Sequence, residues 1–213
     1  MRTAEHLFAE HGVDSVSLRR VTSEAGARNV VAVQYHFGDR AGLLRAILDR
    51  HQPDVEQRRH ALLDAYEAAG RDDMRALAGA LVRPLAAKLD DPDGGPEFLR
   101  ISAELLNRAD PVIDPASLED PTNSMYRWRE HVAALMDHEA VRLHRRFAAV
   151  VFTTSELARR AAAVGTARDH RLFASLVVDT VTGMLKAPIS AETRRLSEDR
   201  RRTRAGGDAT DDP

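Results

Sequence analysis

Short helical segments separated by single glycines most constrain the fold of this 213-residue chain. Residues 3–11 place apolar side chains at helical spacing, and Gly12 follows as a stop signal. Ser17 is a typical N-cap for a second segment, which Gly26 ends after about eight residues. Strand-like alternation bounded by turn residues is hard to find elsewhere. The chain is therefore predicted to be all-α.

Residues 29–37, with the sequence NVVAVQYHF, give conflicting local signals. Their three valines are β-branched and favour strand, whereas the opening asparagine is a suitable helix cap. Phe37 and Gly38 end the segment, and Asp39 can cap the helix that follows. We expect a third short helix here, with a local propensity that tertiary packing overrides.

The longest helical pattern extends from Arg40 to about Ala69 and contains Pro53. An internal proline removes one backbone hydrogen bond and costs roughly 3 kcal/mol, so we expect a kink or a break near residues 50–52. Further amphipathic helices are predicted over residues 73–89, 97–108, 124–136, 138–164 and 167–187. The total is about nine helices.

The composition is that of a globular protein with an apolar core. Apolar residues make up 43% and charged residues 30%, and the net charge is −2. The absence of cysteine excludes disulfides and thiolate metal sites. No apolar run approaches the roughly 18 residues of a membrane span, and no signal-peptide pattern follows Met1. The expected location is the cytoplasm, without a membrane partner.

Three short helices, with the second and third joined at a glycine, fit a helix-turn-helix. In this arrangement Val21 lies inside the second helix, Ala25 near its end and Gly26 in the turn. Val33 and Phe37 would supply the inner face of the third helix. Such a third helix enters the DNA major groove while the second helix crosses the backbone.

The first 45 or so residues resemble the DNA-binding head of the TetR family of bacterial repressors. The shared features are Leu7-Phe8-Ala9-Glu10-His11-Gly12, Ser17, Gly26, Tyr35-His36-Phe37, Asp39-Arg40 and Leu43-Leu44. Members of this family are all-helical homodimers with a DNA-binding head and a larger C-terminal domain. That domain binds a small molecule and dimerises through its last two long helices.

The resemblance implies a division into three regions. A three-helix helix-turn-helix head would cover residues 1–51, and a long helix would join it to a helical ligand-binding and dimerisation domain over residues 52–188. Residues 189–213 form a charged tail in which Leu196 is the only large apolar residue after Ser190. Because such a segment cannot build a core, it is predicted to be disordered.

The resemblance also assigns DNA contacts. Ser17 would donate to a phosphate, Tyr35 and His36 would contact the backbone, and Arg40 stands where the family usually has a phosphate-gripping lysine. Base recognition would fall to Arg28, Asn29, Val30, Val31 and Gln34. The segment from Gly26 to His36 is one position longer than the commoner family spacing. The roles assigned to residues 28–31 can therefore each belong to the neighbouring position instead. The alternative roles are a solvated charge for Arg28, packing for Tyr35 and a helix-end hydrogen bond to a carbonyl for His36. For Val30 and Val31 the alternative is a place in the core of the head.

The C-terminal domain offers two further sets of candidates. An effector pocket is predicted from aromatic and aliphatic residues, namely Leu81, Leu85, Phe98, Leu105, Tyr126, Trp128 and Phe147. A dimer interface is predicted from the apolar stripes of the last two long helices, namely Val150, Val151, Leu172, Leu176, Val177, Val181 and Met184. For each pocket residue, the alternative is an ordinary place in the core.

These patterns favour a ligand-responsive transcriptional regulator, expected to be a repressor that binds a pseudo-palindromic double-stranded DNA operator as a homodimer. A small apolar or amphipathic molecule would release it. No close pair of carboxylates, phosphate-binding loop or metal-ligand spacing supports an enzyme, a cofactor or a metal site. The alternative is a dimeric helical ligand-binding or interaction protein that has lost DNA binding. The modest charge of the head and its short N-terminus motivate that alternative.

Overall fold

A computed structural model describes residues 1–26, 35–108, 119–163 and 169–207. Within these ranges every regular element is helical, which confirms the all-α prediction. The α-helices are α1 (Arg2–His11), α2 (Leu18–Glu24), α3 (Arg40–Ala69), α4 (Met74–Ala86), α5 (Gly95–Leu106), α6 (Ser124–Ala134), α7 (His138–Arg142), α8 (Arg145–Ala162), α9 (Arg171–Lys186) and α10 (Ala191–Gly207). A 3₁₀ turn, Ala87–Asp90, continues α4.

Helices α1 and α2 and the start of α3 lie within two residues of their predicted bounds, and residues 29–34 of the predicted third helix lie outside the described part of the chain. Ser17 Oγ accepts a hydrogen bond from the first turn of α2 at 3.2 Å. Asp39 Oδ1 accepts the backbone N–H of Gly42 at 2.7 Å and so caps α3. Gly12 ends α1 with a φ of 86°, and Gly26 follows α2 with a φ of 66°. Both angles favour glycine, so local chemistry sets these boundaries.

The long helix α3 continues through Pro53, so the predicted break is wrong. The proline removes only one backbone hydrogen bond from a helix of 30 residues. Leu48 and Val55 are buried on either side of it, at 5% and 2% exposure. Core packing on both sides of the proline therefore keeps the helix continuous.

A first apolar cluster joins the head to the core. Leu7 and Phe8 of α1, Ile47 of α3 and Ile101 of α5 are at most 2% exposed and belong to it. Leu157 of α8 packs into the same cluster from the other side of α5. The head thus shares this apolar cluster with α5 and α8, and α1 packs directly against α5.

A second apolar cluster fills the core around α4. Leu77 and Leu81 of α4 pack there with Trp128 of α6, and all three are fully buried. The indole Nε1 of Trp128 donates to the carbonyl oxygen of Leu77 at 2.8 Å, which satisfies its polar group. From α9, Val178 completes the cluster. Helix α3 borders both clusters and therefore connects them.

The segment predicted as one helix over residues 138–164 is divided into α7 and α8. His144 adopts a left-handed conformation with a φ of 57°, which interrupts the helical path between them. Among the described residues, no single helix is long and apolar enough to cross a membrane. One pair, Arg171–Lys186 with Ala191–Thr203, meets that criterion only jointly and is bent by 57°.

Helix α10 differs from the expectation of a disordered tail over residues 191–207, whereas residues 208–213 lie outside the described part of the chain. Ser190 Oγ accepts a backbone N–H of its first turn at 3.1 Å. Arg194 pairs with Asp137 at 3.1 Å, and Ser197 Oγ donates to the carboxylate of Glu139. The helix thus rests on a cap and on polar contacts to α7. The prediction weighed only apolar residues and overlooked these contacts.

Candidate nucleic-acid interface

Two residues predicted to bind phosphate lie on one open cleft. Ser17 at the start of α2 and Arg40 at the start of α3 both line it, and its volume is about 430 Å³. We call this the head–core cleft, because Arg108, just beyond the end of α5, also lines it. Ser17 Oγ uses a lone pair as the helix cap, so its hydroxyl proton can still be donated to a ligand.

Residues 35–37 are helical and divide their side chains between solvent and core. The Tyr35 side chain is 86% exposed, and His36 is exposed as well. Their rings lie edge to face, with centroids 5.6 Å apart. Phe37 is half-buried against the first apolar cluster, as predicted for an inner-face residue. The aromatic rings of Tyr35 and His36, each with a polar group, are therefore exposed to solvent.

The predicted base-recognition residues lie outside the described part of the chain. They are Arg28, Asn29, Val30, Val31 and Gln34. Their assignment, and the one-residue ambiguity in it, therefore remain predictions.

A carboxylate sits between the two arginines of the head–core cleft. Asp14, in the turn after α1, is 2.6 Å from the Nη1 atom of Arg108 and 3.5 Å from that of Arg40. The hydrogen bond from Arg108 lowers the pKa of Asp14 below its usual value, and the charge of Arg40 adds to the effect. Sequence reasoning missed this contact because its two ends are 94 positions apart.

The same turn is fixed to α5 by a second hydrogen bond. The backbone N–H of Val13 donates to Glu104 Oε1 at 2.9 Å, and Val13 is fully buried. Glu104 lies one helical turn before Arg108, so both side chains reach the α1–α2 turn from the same end of α5. The end of α5 therefore holds this part of the head in place.

A buried ionic network near the start of α1, away from the α1–α2 turn, joins α1 to α3. Glu5 of α1 is fully buried and accepts hydrogen bonds from Arg2 at 2.8 Å and from Arg50 at 2.6 and 2.8 Å. The His51 ring lies 3.3 Å from the same carboxylate and stacks on Phe98 of α5. We call Glu5, Arg2, Arg50 and His51 the junction network.

Electrostatics favour an ionised Glu5. Burial alone would raise the pKa of its carboxyl, but hydrogen bonds from His51, Arg50 and Arg2 outweigh burial and lower it to about 2. Gly94, in the turn before α5, leaves room for these groups. A Cβ there would overlap the Arg2 guanidinium and the Glu5 carboxylate, and the φ of 93° already favours glycine.

Residues 1–47 match the family model described as bacterial regulatory proteins, tetR family. The head belongs to the TetR family. This confirms the resemblance on the α1–α2 unit, residues 35–37 and the start of α3, and it supports a TetR-type transcriptional regulator with a helix-turn-helix head. The match ends at residue 47 and assigns no subgroup to the C-terminal domain. No curated protein is significantly similar to the chain.

The residues predicted for the effector pocket of this TetR-type regulator fall in different places. Leu81 and Trp128 belong to the second apolar cluster, whereas Phe98 and Leu105 belong to the first, with Leu85 packed against it. Tyr126 is half-buried, and Phe147 is 55% exposed. The pocket remains a prediction, and its candidates are drawn from both clusters.

The predicted dimer face requires a correction. Val177 and Val181 are 3% and 0% exposed within one subunit, so they are core residues and cannot meet a partner. Leu172 and Leu176 lie on the opposite side of α9 and are 83% and 61% exposed. The sequence shows apolar residues on both sides of α9, and burial separates the two sides. The remaining candidates, Val150, Val151 and Met184, are half-buried.

Proposed function

We propose that this TetR-type regulator is a ligand-responsive repressor that binds a pseudo-palindromic DNA operator as a homodimer. The observation that carries the DNA-binding part is the outer side of the head. Ser17, Tyr35 and His36 are exposed there, and Arg40 lies beside Ser17 on the head–core cleft. Hydroxyl, phenol, imidazole and guanidinium groups are all suitable donors to phosphate oxygens. Together they would fix the head on the DNA backbone while the predicted third helix of the head, residues 29–37, enters the major groove.

An exposed apolar stripe supports the homodimer. Leu172 and Leu176 of α9 stand in solvent, and no heavy atom comes within 4 Å of a Cβ built at Gly183 two turns further along. Phe147 of the neighbouring α8 is exposed as well. A large exposed apolar face on a soluble chain is typical of a protein interface. Pairing α8 and α9 with their copies would bury this stripe in a four-helix arrangement.

Two buried polar atoms support an effector with a polar group. Among the described residues, Nε of Arg59 and Oγ of Ser102 are buried without a hydrogen-bond partner. Arg59 lies on α3 one turn after Val55 of the first cluster and one turn before Leu63 of the second. Buried polar groups are normally paired, so a ligand bound between the clusters would satisfy such an atom.

Selection from a random double-stranded DNA library tests the operator and the dimer together. We expect enriched sequences with two-fold related half-sites whose centres are about 34–36 Å apart, or a small multiple of that spacing. Light scattering of the same sample should give close to twice the chain mass of 23.5 kDa. The absence of enrichment, together with no binding to random duplex at low salt, would contradict the proposal and favour a protein that has lost DNA binding.

A further inference from the structure

The head–core cleft combines residues of both domains at the proposed DNA backbone contact. Ser17 and Arg40 belong to the head, whereas Arg108 follows α5 in the core. A phosphate that reaches Ser17 and Arg40 therefore enters a space that Arg108 also borders. The TetR-family match ends at residue 47, so Arg108 lies outside the family's head.

Asp14 already occupies the place of an anion in this cleft. Its two oxygens contact Arg108 at 2.6 Å and Arg40 at 3.5 Å. A phosphodiester also presents two charged oxygens, and arginine binds such oxygens with directed hydrogen bonds. The cleft thus holds two guanidinium groups around one carboxylate, an arrangement that a phosphate can take over.

We propose that Arg108 is a phosphate-binding residue supplied by the core domain, and that Asp14 is an internal counter-ion that DNA phosphate displaces. This inference rests on the proposed DNA-binding function. In the free protein Asp14 pairs with both arginines, and in the complex both arginines pair with the DNA backbone. Asp14 therefore lowers the affinity for every DNA sequence equally.

The exposure of the pair allows this exchange. The Asp14 side chain is 65% exposed and that of Arg40 is 40% exposed, so water and salt screen their attraction. The exchange also leaves the head in place, because the hydrogen bond from Val13 to Glu104 does not involve Asp14. A phosphate can replace the carboxylate without separating the α1–α2 turn from α5.

The arrangement gives the core domain a direct effect on DNA affinity. Arg108 follows α5, whose side chains Phe98, Ile101 and Leu105 form part of the first apolar cluster. A shift of α5 relative to the head would move Arg108 toward or away from the phosphate. A core-bound effector would then change the number of phosphate contacts as well as the spacing of the two heads.

Salt-dependent binding to a random-sequence duplex tests the proposal. Affinity is measured between about 50 and 200 mM salt for the wild type, Arg108→Ala, Asp14→Asn and the double variant. Arg100→Ala is the matched control for Arg108, since it removes an arginine from the same helix that lines a different cleft. Glu10→Gln is the control for Asp14, since it removes one negative charge from the exposed part of α1. Circular dichroism melts check that each variant is folded.

Three results are expected. Arg108→Ala should flatten the slope of log affinity against log salt by about 0.9, the value for one lost phosphate contact, and Arg100→Ala should leave it unchanged. Asp14→Asn should raise affinity by about 2- to 5-fold, more than Glu10→Gln does. In the Asp14→Asn background, Arg108→Ala should still flatten the slope by about 0.9.

The double variant separates a phosphate contact from a purely structural role. If Arg108 only holds the head through Asp14, its substitution will have no effect once Asp14 is neutral, and the inference is overturned. An Asp14→Asn affinity equal to or below that of the wild type also overturns it. Failure of the wild type to bind at low salt would instead contradict the proposed function, and this inference with it.

Discussion

Both sides of the head use arginine–carboxylate contacts, but the two sides differ in burial. Near the start of α1, Arg50 is bound to Glu5, whose side chain is fully buried. On the side of the head–core cleft, Arg40 is near Asp14, whose side chain is 65% exposed. The two arginines stand on the same helix α3, ten positions apart. A buried pair cannot lose one member cheaply, whereas an exposed pair exchanges partners with little change in stability.

The comparison indicates that the two kinds of ion pair in this small domain have different functions. The junction network is buried beside the core, whereas Arg40 and Arg108 of the head–core cleft are partly exposed and pair with an exposed carboxylate. The Glu5 carboxylate has a pKa of about 2, which reflects several donors converging on a buried site. The pKa of Asp14 is lowered as well, but Asp14 itself is exposed and its main partner is one half-buried arginine, Arg108. Burial, more than residue type, therefore distinguishes a structural ion pair from an available one.

The largest expected effect is the loss of stability in Arg50→Ala. This substitution leaves the buried Glu5 carboxylate with fewer donors, and the free energy of unfolding should fall by about 3 kcal/mol. Arg40→Ala on the same helix is the control and should change it by less than about 0.5 kcal/mol. Urea unfolding followed by circular dichroism measures both. Equal losses in the two variants would remove the distinction between the two sides of the head.

The pH dependence of stability should come mainly from the buried carboxylate of Glu5. The pKa of Glu5 is about 2 in the folded protein and 4.5 in the reference state, so its ionised form stabilises the fold above pH 4.5. This contribution, about 3 kcal/mol, should be lost as the pH falls from 4.5 to 2. Urea unfolding at several pH values, compared between the wild type and Glu5→Gln, measures it. A difference between them that does not change with pH would contradict the assignment.

For DNA binding, the substitution of Arg40 should have a larger effect than the substitution of Arg50, the reverse of the order expected for stability. Arg40→Ala should weaken binding to all sequences about equally and flatten the salt slope by about 0.9. Arg50→Ala, measured at a temperature where it is folded, should keep the wild-type slope because its side chain lies at the junction with the core. Fluorescence anisotropy with a random duplex gives both slopes. An unchanged slope in Arg40→Ala would refute its role as a phosphate contact.

The smallest effect on stability is expected at Tyr35. Its side chain is 86% exposed, so Tyr35→Phe should leave the melting temperature unchanged. Removal of the hydroxyl should weaken DNA binding by about 2- to 10-fold if it donates to a phosphate. Wild-type affinity in Tyr35→Phe would place the phenol away from the DNA.

Local features of the fold could be predicted from the sequence, and distant contacts could not. Ser17 and Asp39 cap their helices as expected, because a cap depends on a few neighbouring residues. The Glu5–Arg50 and Asp14–Arg108 pairs join residues 45 and 94 positions apart, and no local pattern indicates them.

Packing decided the places where prediction was wrong. The proline in α3 is tolerated because buried residues flank it, and α10 forms because Ser190 and Arg194 supply polar contacts. Val177 and Val181 of α9 are buried and Leu172 and Leu176 are exposed, yet all four are apolar residues at helical spacing. Only the arrangement of the neighbouring helices shows which of them face solvent.

Hydrogen exchange with and without a random duplex tests most directly whether the two sides of the head have separate functions. Bound DNA should slow exchange at the start of α2 and over residues 35–42, next to the exposed donors and the head–core cleft. Residues 2–8 of α1, which face the junction network, should exchange at the same rate in both states. Protection by DNA centred on α1, with none at residues 35–42, would contradict the account.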